Sequence, residues 1–377
     1  MAGIKIVEHV EDNASYSDDS LFNINSWGAD MSFRELITMY EEDELVKPEL
    51  QRKYVWNKDE ASRFIDSILL GLPVPSIFLA KVGEQRLIID GYQRILTVYD
   101  YVRGIFSGDN KIFRLSNSDI INQRWRGKAF AELTSDEQKR IKNSTIHAII
   151  FEQKHPQNDT GMYQIFERIN ASGRILKSQE IRNCVYHGKF NTLIMELNKD
   201  HNWRMLFGSE NEDPRMADVE LVLRFFAMYD FCRNDEITVK QIALKKYLNE
   251  YMSKMNKADD ETLQYYAKIF TATMSLIFEK IGKNAFRNLT KITEKKPVQQ
   301  YANAFHPAIF DAVGQAAAYI VENKIQLRQD RDYEYAHREL LNDDEFKDCI
   351  SIRTTNVDKI KRRIEIAMNL LFDVQAE

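Results

Sequence analysis

The chain has 377 residues, of which 44% are apolar and 29% are charged, and its net charge is −5. This length is enough for two domains that each bury a core, and the charge provides no overall basic surface for nucleic acid. The three cysteines form no C-x-x-C pair, which argues against a disulfide scaffold or a zinc finger and favours the reducing cytoplasm. We find no N-terminal signal and no apolar run of membrane length, and therefore expect a cytoplasmic protein without membrane contact.

The first part of the chain mixes helix and strand signals. Residues 1–30 show little periodicity and predict an N-terminal arm, and residues 31–155 predict an α+β domain. The predicted elements of this domain are, in chain order, a helix from the Ser32 cap to about Leu45, an extended segment at 47–56, a helix from the Asn57 cap to Gly71, strands at 76–81 and 87–89, a helix from about Gln93 to Gly104, a short helix after Thr134 and a strand at 145–152.

The second part of the chain is helical nearly throughout. Pro156 and its small polar neighbours indicate a boundary, and residues 156–377 predict an all-helical domain. The predicted helices are 161–169, one from Ser178 to about Gly188, 218–229, 242–255, 260–278, 304–321 and 357–374. The apolar helix at 218–229 is expected at the centre of this domain.

The stretch Asp90-Gly91-Tyr92-Gln93-Arg94 predicts a strand, a tight turn and the first turn of a helix. A glycine turn at a helix N-terminus directs backbone N–H groups and positive potential toward a bound anion, and Arg94 adds a forked cation. Asp90 could hold Mg²⁺ or orient a water molecule. The alternatives remain open, because this can also be a plain strand–turn–helix joint in which Asp90 caps the helix.

Two further segments could contribute to such a site. Gln51 and Arg52 precede the aromatic residues Tyr54 and Trp56, a combination that suits a phosphate pocket or base stacking, although the aromatics could equally pack on the core. Asn170 lies in a turn between two predicted helices, where it could face the first domain or form an ordinary helical-hairpin turn.

A basic stretch with an interleaved aromatic residue contains Arg124, Trp125, Arg126 and Lys128, and a second basic run spans 359–363. These segments form a weak candidate surface for DNA, with solvated charged faces as the favoured alternative. The sequence contains no Walker A loop, no G-x-G-x-x-G motif, no H-E-x-x-H motif and no arrangement that resembles an HNH nuclease site.

Three motifs occur in a fixed order, and together they are more specific than any one of them. They are Gln51-Arg52-Lys53-Tyr54-Val55-Trp56, the stretch from Asp66 to Pro75, and Ile89-Asp90-Gly91-Tyr92-Gln93-Arg94. In this order they resemble the N-terminal domain family of the GmrSD modification-dependent restriction systems, and the segments 166–173 and 215–225 are similar to its helical continuation. The family is similar in fold to ParB and sulfiredoxin, so the resemblance implies a ParB/sulfiredoxin-like N-terminal domain.

The resemblance implies a nucleotide-binding, NTP-hydrolysing regulatory or sensor subunit of a bacterial defence system against phage or modified DNA. Asp90 and Arg94 would be catalytic, and Asp90 would hold Mg²⁺. The nucleotide would be bound by six residues, one of which is the catalytic Arg94: Gln51, Arg52, Gly91, Gln93, Arg94 and Asn170. Tyr92 stands where the family usually has a glutamine, so the resemblance implies nucleotide binding more strongly than hydrolysis. Family members often carry an HNH nuclease domain, so we expect DNA cleavage here to come from a partner nuclease or defence protein.

Two other functions remain open. The first is a DNA-binding or adaptor module without enzymatic activity that uses the same anion pocket for the DNA backbone, and the second is a ParB-like nuclease. The sequence does not specify which nucleotide would bind. It also does not specify the oligomeric state, so a homo-oligomer is one of the possible forms.

Overall fold

The computed structural model describes residues 4–8, 24–46, 56–153, 160–169, 177–186, 188–234, 238–291 and 298–375. These residues divide into two compact units. We call the described residues between 24 and 169, together with 183–185, the sheet unit. The helical unit contains 4–8, 177–182 and the described residues from 186 onward.

The sheet unit contains a five-stranded sheet with helices. Its elements are β1 (Ile24–Ser32), α1 (Phe33–Glu41), β2 (Leu45–Val46), α2 (Lys58–Leu70), β3 (Ile77–Val82), β4 (Gln85–Asp90), α3 (Tyr92–Arg103), β5 (Ile105–Phe106), β6 (Lys111–Ile112), α4 (Ser135–Asn143), β7 (Thr145–Gln153) and α5 (Thr160–Ile169). The strand order is β1-β7-β3-β4-β2, and β5 and β6 form a separate hairpin. The β7–β3 and β4–β2 pairs are parallel, whereas β1–β7 and β3–β4 are antiparallel.

One face of the sheet supports the core of this unit. On β7, Ile146, Ala148 and Ile150 are buried, whereas the alternate residue His147 is exposed, as expected when successive side chains point to opposite faces. Helices α1 to α4 contact one another and contribute apolar residues to the same core cluster as β3 and β4. This packing fixes the position of the β4–α3 connection.

The predicted helix caps are present. The Ser32 side chain accepts a hydrogen bond from the Glu35 amide at 3.2 Å. Asn57 and Glu60 form a reciprocal capping box, with distances of 2.9 and 2.8 Å. Such caps are local in sequence, so they can be predicted without knowledge of the tertiary fold.

Several boundaries differ from the prediction. Strand β1 begins at Ile24, inside the segment predicted as an arm, because much of this edge strand is exposed and its apolar alternation is weak. Helix α1 ends at Glu41 rather than near Leu45, which instead begins β2. The sheet unit also extends past the predicted domain limit at residue 155, and Pro156 itself lies outside the described residues.

Within its described residues, the helical unit contains ten α-helices, a π-helical turn and one two-stranded sheet. Its elements are α6 (Ser178–Val185, whose last three residues group with the sheet unit), α7 (Lys189–Leu197), α8 (His201–Phe207), α9 (Ala217–Cys232), α10 (Leu244–Met255), α11 (Asp260–Lys280), β8 (Arg287–Leu289), β9 (Tyr301–Phe305), α12 (Pro307–Glu322), α13 (Tyr333–Asn342), α14 (Asp344–Ser351), α15 (Val357–Ile366) and a π-helical turn at Ala367–Phe372.

Helices α9 and α12 form the centre of the helical unit. They contact each other, and α12 also contacts α11 and α15. Phe225 and Phe226 of α9 are fully buried, which confirms that this apolar segment is central. The small residues of α12 permit close approach, and Phe225 lies beside Gly314. A helix that is apolar on all sides is expected in this environment.

The prediction of an all-helical second domain is corrected by the antiparallel pair β8–β9. These strands have three and five residues, which is too short to give a clear alternation. The result is a mixed α/β protein with a helical C-terminal region, whereas the ParB/sulfiredoxin-like fold stays a prediction. Among the described helices, none combines the length and apolar character that crossing a bilayer requires.

Candidate functional site

The β4–α3 connection brings Asp90, Gly91 and Arg94 together at one end of β4. Gly91 has φ +100°, a conformation that L side chains rarely adopt. A Cβ atom at this position would lie 2.3 Å from Cγ2 and 2.8 Å from Cβ of Ile77. Glycine is therefore required both by the turn and by the close approach of β3.

Arg94 is held through one of its guanidinium nitrogens. Nη1 donates to the Ser76 carbonyl at 2.8 Å and to Oδ2 of Asp90 at 3.2 Å. Within the described part of the chain, no hydrogen bond from Nε or Nη2 is found. These two nitrogens form the parallel donor edge that binds a carboxylate or phosphate in a bidentate manner. The arrangement fixes the guanidinium and keeps this edge available.

The start of α3 adds to the positive character of this site. The N-cap residue, Gly91, has no side chain that could cap the helix, and the first turn contains no acidic residue. The N–H groups and the dipole of a helix N-terminus favour an anion at such a position. The 12-residue length of α3 is consistent with a fully formed helix terminus.

Asp90 is half-exposed, and among the described residues the side-chain contact found for it is that of its Oδ2 atom with Arg94. The described residues contain no group of three or more His, Cys, Asp or Glu side chains that could hold a metal ion. Magnesium in nucleotide sites is often held by one or two carboxylates together with phosphate oxygens, and a half-exposed Asp90 fits that role. Magnesium binding by Asp90 remains a prediction.

Gln93 accepts a hydrogen bond from the Trp56 amide at 3.4 Å, and the Trp56 ring packs on Phe64. This contact anchors the chain just after the predicted Gln51-Arg52 pair. The predicted site residues Gln51, Arg52 and Asn170 lie outside the described residues. Their roles at the site therefore stay predictions.

Tyr92 points into the core of the sheet unit and is 7% exposed. Its hydroxyl is a hydrogen-bond partner of Tyr40, whose pKa is raised by burial and lowered in part by this bond. Tyr40 in turn packs edge-on against Tyr99. The residue that departs from the usual family motif is therefore a packing residue in this fold.

The basic segment proposed for DNA has most of its groups in internal contacts. The Trp125 indole is buried and donates to Asp66 at 2.6 Å, so its ring is not exposed for stacking on a base. Arg124 pairs with Glu137, and the Lys128 carbonyl accepts from Leu115 and Tyr101.

The fourth residue of this segment, Arg126, pairs with Asp119 and also donates to the Ile121 carbonyl. Trp125 therefore has a structural contact inside the sheet unit. DNA binding by the segment that contains Arg124, Trp125, Arg126 and Lys128 stays a prediction.

The sequence did not point to Ser76 and Ile77, which shape the site. Ser76 contributes a backbone carbonyl, which has no sequence signature, and Ile77 contributes an aliphatic side chain like many others. The Val82–Gln85 turn was the available signal, because it pairs β3 with β4 and brings Phe78 opposite Asp90. Counting along this hairpin would have placed Ser76 near Gly91.

Comparison with protein families gives one match. Residues 33–187 match the family described as GmrSD restriction endonuclease, N-terminal domain. The resemblance predicted from the ordered motifs is thereby confirmed over this range, and it relates the chain to a restriction system. Searches of curated proteins and of solved structures found no significant match.

The family match contains the whole β4–α3 site. Asp90, Gly91, Gln93 and Arg94 all lie within the matched residues, as does the Trp56 amide that contacts Gln93. The β4–α3 site and the resemblance to a restriction-system domain therefore concern the same part of the chain.

Proposed function

We propose that the β4–α3 site binds the phosphates of a nucleoside triphosphate, and that the chain is a nucleotide-dependent regulatory or sensor subunit of a restriction system. The observation that carries this proposal is the position of Arg94, whose Nη1 is held by Ser76 and Asp90 while its Nε–Nη2 edge makes no hydrogen bond to any of the described residues. A guanidinium fixed in this way loses little conformational entropy when it binds a phosphate.

Arg94, the N-terminus of α3 and Asp90 would have different roles in binding and hydrolysis. The Nε–Nη2 edge of Arg94 would bind two phosphate oxygens, and the N-terminal end of the α3 dipole would stabilise their negative charge. Asp90 would hold Mg²⁺ or orient the attacking water, since positioning and charge neutralisation supply most of the catalysis of phosphoryl transfer. A bound Mg²⁺ would neutralise charge that develops on the phosphates.

Calorimetric titration of the full chain with ATP, GTP, CTP and UTP in the presence of Mg²⁺ tests binding, and release of inorganic phosphate tests turnover. Arg94→Ala removes a charged bidentate contact, and we expect the affinity to fall by about 10- to 100-fold. Asp90→Asn should reduce phosphate release more than it reduces binding, because it removes a charge suited to metal or water.

Arg103→Ala is the matched control. Arg103 ends the same helix, about 13 Å from Arg94 along the helix axis, and it is exposed. This variant changes the net charge equally without altering the site. The proposal is wrong if no nucleotide binds, or if Arg94→Ala and Arg103→Ala have the same affinity.

The same experiment separates the DNA-binding alternative. A DNA-backbone site would show no nucleotide binding, together with DNA affinity that falls steeply with salt and falls further in Arg94→Ala.

A further inference from the structure

The face of the five-stranded sheet that points away from its core carries a row of residues in register, one on each of β1, β7, β3 and β4. Gly28 pairs with Ile149, Ile149 pairs with Phe78, and Phe78 pairs with Asp90. Residues that pair across neighbouring strands project to the same face of a sheet. The row therefore runs from the edge strand β1 to the aspartate of the β4–α3 site.

A β-bulge brings Asp90 into this row. Leu79 pairs with Ile88, but Phe78 pairs with Asp90, so Ile89 is an extra residue in β4. Without this residue, Asp90 would lie on the same face as Ile88, which belongs to the core, because residues two apart in a strand share a face. Bulges next to functional sites redirect side chains in this way. The bulge therefore turns Asp90 toward the face that carries Phe78.

The row lies in an open part of this face. Phe78 and Ile149 are partly buried, and Asp90 is half-exposed. In the next row of the same face, Ala80 and Leu87 pair with each other and are both buried. The partly exposed apolar surface formed by Phe78 and Ile149 therefore lies directly beside Asp90.

The ring of Phe78 has a fixed orientation. It stacks on the ring of Phe151, with centroids 6.1 Å apart and planes inclined by 7°. A partly exposed aromatic ring that is held by a neighbour can stack on a nucleobase, and such stacking tolerates any base.

The end of the row at β1 carries a histidine. His147 precedes Ile149 by two residues in β7 and lies on the same face, and its Nδ1 is 2.8 Å from Oδ1 of Asp30. The imidazole ring lies over Gly28, where a Cβ atom would be 2.7 Å from Cε1 and 2.9 Å from Nε2 of His147. The lack of a side chain at residue 28 thus provides the space that the ring occupies.

The contact with Asp30 determines what Nε2 of His147 can bind. A carboxylate only accepts hydrogen bonds, so Nδ1 donates to Asp30, and Nε2 of the neutral ring is an acceptor. The side chains of His147 and Asp30 are 50% and 73% exposed, and a pair this exposed contributes little to stability. Among the residues that the structure describes, no partner is found for Nε2. The pair therefore presents an oriented acceptor at the end of the row.

We propose that this row binds the nucleoside of the nucleotide: the base or ribose packs on Phe78 and Ile149, and Nε2 of His147 accepts a hydrogen bond from a hydroxyl or amino group of the nucleoside. Three strand spacings, about 14 Å, separate β1 from β4, a distance that an extended nucleoside triphosphate can span. This inference rests on the phosphate site proposed at Arg94, and it assigns the nucleoside end of the same ligand.

The test is calorimetric titration of the full chain with nucleoside triphosphates and with inorganic triphosphate, both in the presence of Mg²⁺. His147→Ala should weaken binding of the tightest nucleoside triphosphate about fivefold or more, and it should leave the affinity for inorganic triphosphate unchanged, because only the nucleoside reaches His147. Arg94→Ala should weaken the binding of both ligands. His201→Ala removes an exposed histidine in the helical unit, and as the matched control it should change neither affinity.

Gly28→Ala tests the position of the imidazole ring without removing a polar group. The new methyl group would displace the end of the His147 side chain, which is exposed and can move, so the fold should be retained. We expect a loss of nucleoside triphosphate affinity similar to that in His147→Ala. Phe78→Leu keeps an apolar side chain but removes the aromatic face, and it should weaken nucleoside triphosphate binding severalfold.

The inference is overturned if His147→Ala binds nucleoside triphosphates as tightly as the wild type, or if it loses the same affinity for inorganic triphosphate. Binding that depends on Arg94 but not on His147 would refute the nucleoside row alone, whereas a wild-type chain that binds no nucleotide would refute both proposals. A loss seen with ribonucleotides but not with 2′-deoxynucleotides would identify the ribose hydroxyl as the donor to His147. A loss that depends on the base would identify an amino group.

Discussion

The tight approach of Gly91 to Ile77 makes Gly91→Ala the most informative substitution at the candidate site. The new methyl group would lie 2.3 Å from Cγ2 and 2.8 Å from Cβ of Ile77, and 3.3 Å from Nη1 of Arg94. The first two distances are far inside van der Waals contact. The third involves the nitrogen that holds Arg94 against Ser76 and Asp90. The substitution should therefore reduce both stability and anion binding.

Gly104 allows the two causes of instability to be separated. Gly91 and Gly104 flank the same helix with nearly the same backbone angles, φ 100° and ψ 4° against φ 88° and ψ 2°, but a Cβ at Gly104 meets no atom within 4 Å. An L residue in this conformation costs about 1–2 kcal/mol at either position. Overpacking against Ile77 adds about 1–3 kcal/mol at Gly91 alone. We expect Gly91→Ala to be the more destabilising variant by that second amount.

Hydrogen exchange measured by mass spectrometry is the suitable assay, because a chain with two compact units need not unfold in one step. Peptides from α3 should lose protection about tenfold per 1.4 kcal/mol of lost stability, and peptides from α12, in the helical unit, serve as the internal reference. If Gly91→Ala and Gly104→Ala cause the same loss of protection in α3, Ile77 does not pack closely against the turn. In that case the fixed position of Arg94 described above is also wrong.

Three other substitutions test the roles of individual buried residues. Trp125→Phe removes the indole N–H that donates to buried Asp66, and it should destabilise the sheet unit by about 1–3 kcal/mol in urea unfolding. DNA affinity in a fluorescence-anisotropy titration should not change, whereas a selective loss of DNA binding would support stacking of Trp125 on a base. Tyr92→Gln should lower the free energy of unfolding by about 2 kcal/mol or more, because the Tyr92 side chain is buried against Tyr40. The rate of phosphate release should not increase, and faster release would contradict a packing role for residue 92. Burial lowers the pKa of His337 to about 4, so the free energy of unfolding should fall by about 3 kcal/mol as the pH is lowered from 6.5, the unfolded value, to 4. In urea unfolding, His337→Phe should lose about 3 kcal/mol less than the wild type over this pH range, and an equal loss would refute the assignment.

The sequence predicted the features of the site that depend on neighbours along the chain. The caps at Ser32 and Asn57 and the strand–turn–helix at Asp90 to Arg94 need only local spacing and residue type. The Ser76 carbonyl and the burial of Trp125 depend on contacts between distant segments, 18 and 59 residues apart in sequence. A basic segment that contains a tryptophan has the same sequence whether the ring faces solvent or an aspartate in the core. Such contacts cannot be derived from composition and periodicity.

Helix geometry decides what the tyrosine at position 92 means for the proposed activity. Successive residues of an α-helix are rotated by about 100°, so Tyr92 and Arg94 point in nearly opposite directions around α3. Arg94 faces the end of β4, and Tyr92 therefore faces the core, where Tyr40 contacts its hydroxyl. A glutamine at position 92 would start from the same backbone direction and would be equally far from a phosphate held by Arg94. The departure from the usual family motif then falls at a packing position, so hydrolysis should depend on Asp90, Gln93 and Arg94 and not on residue 92.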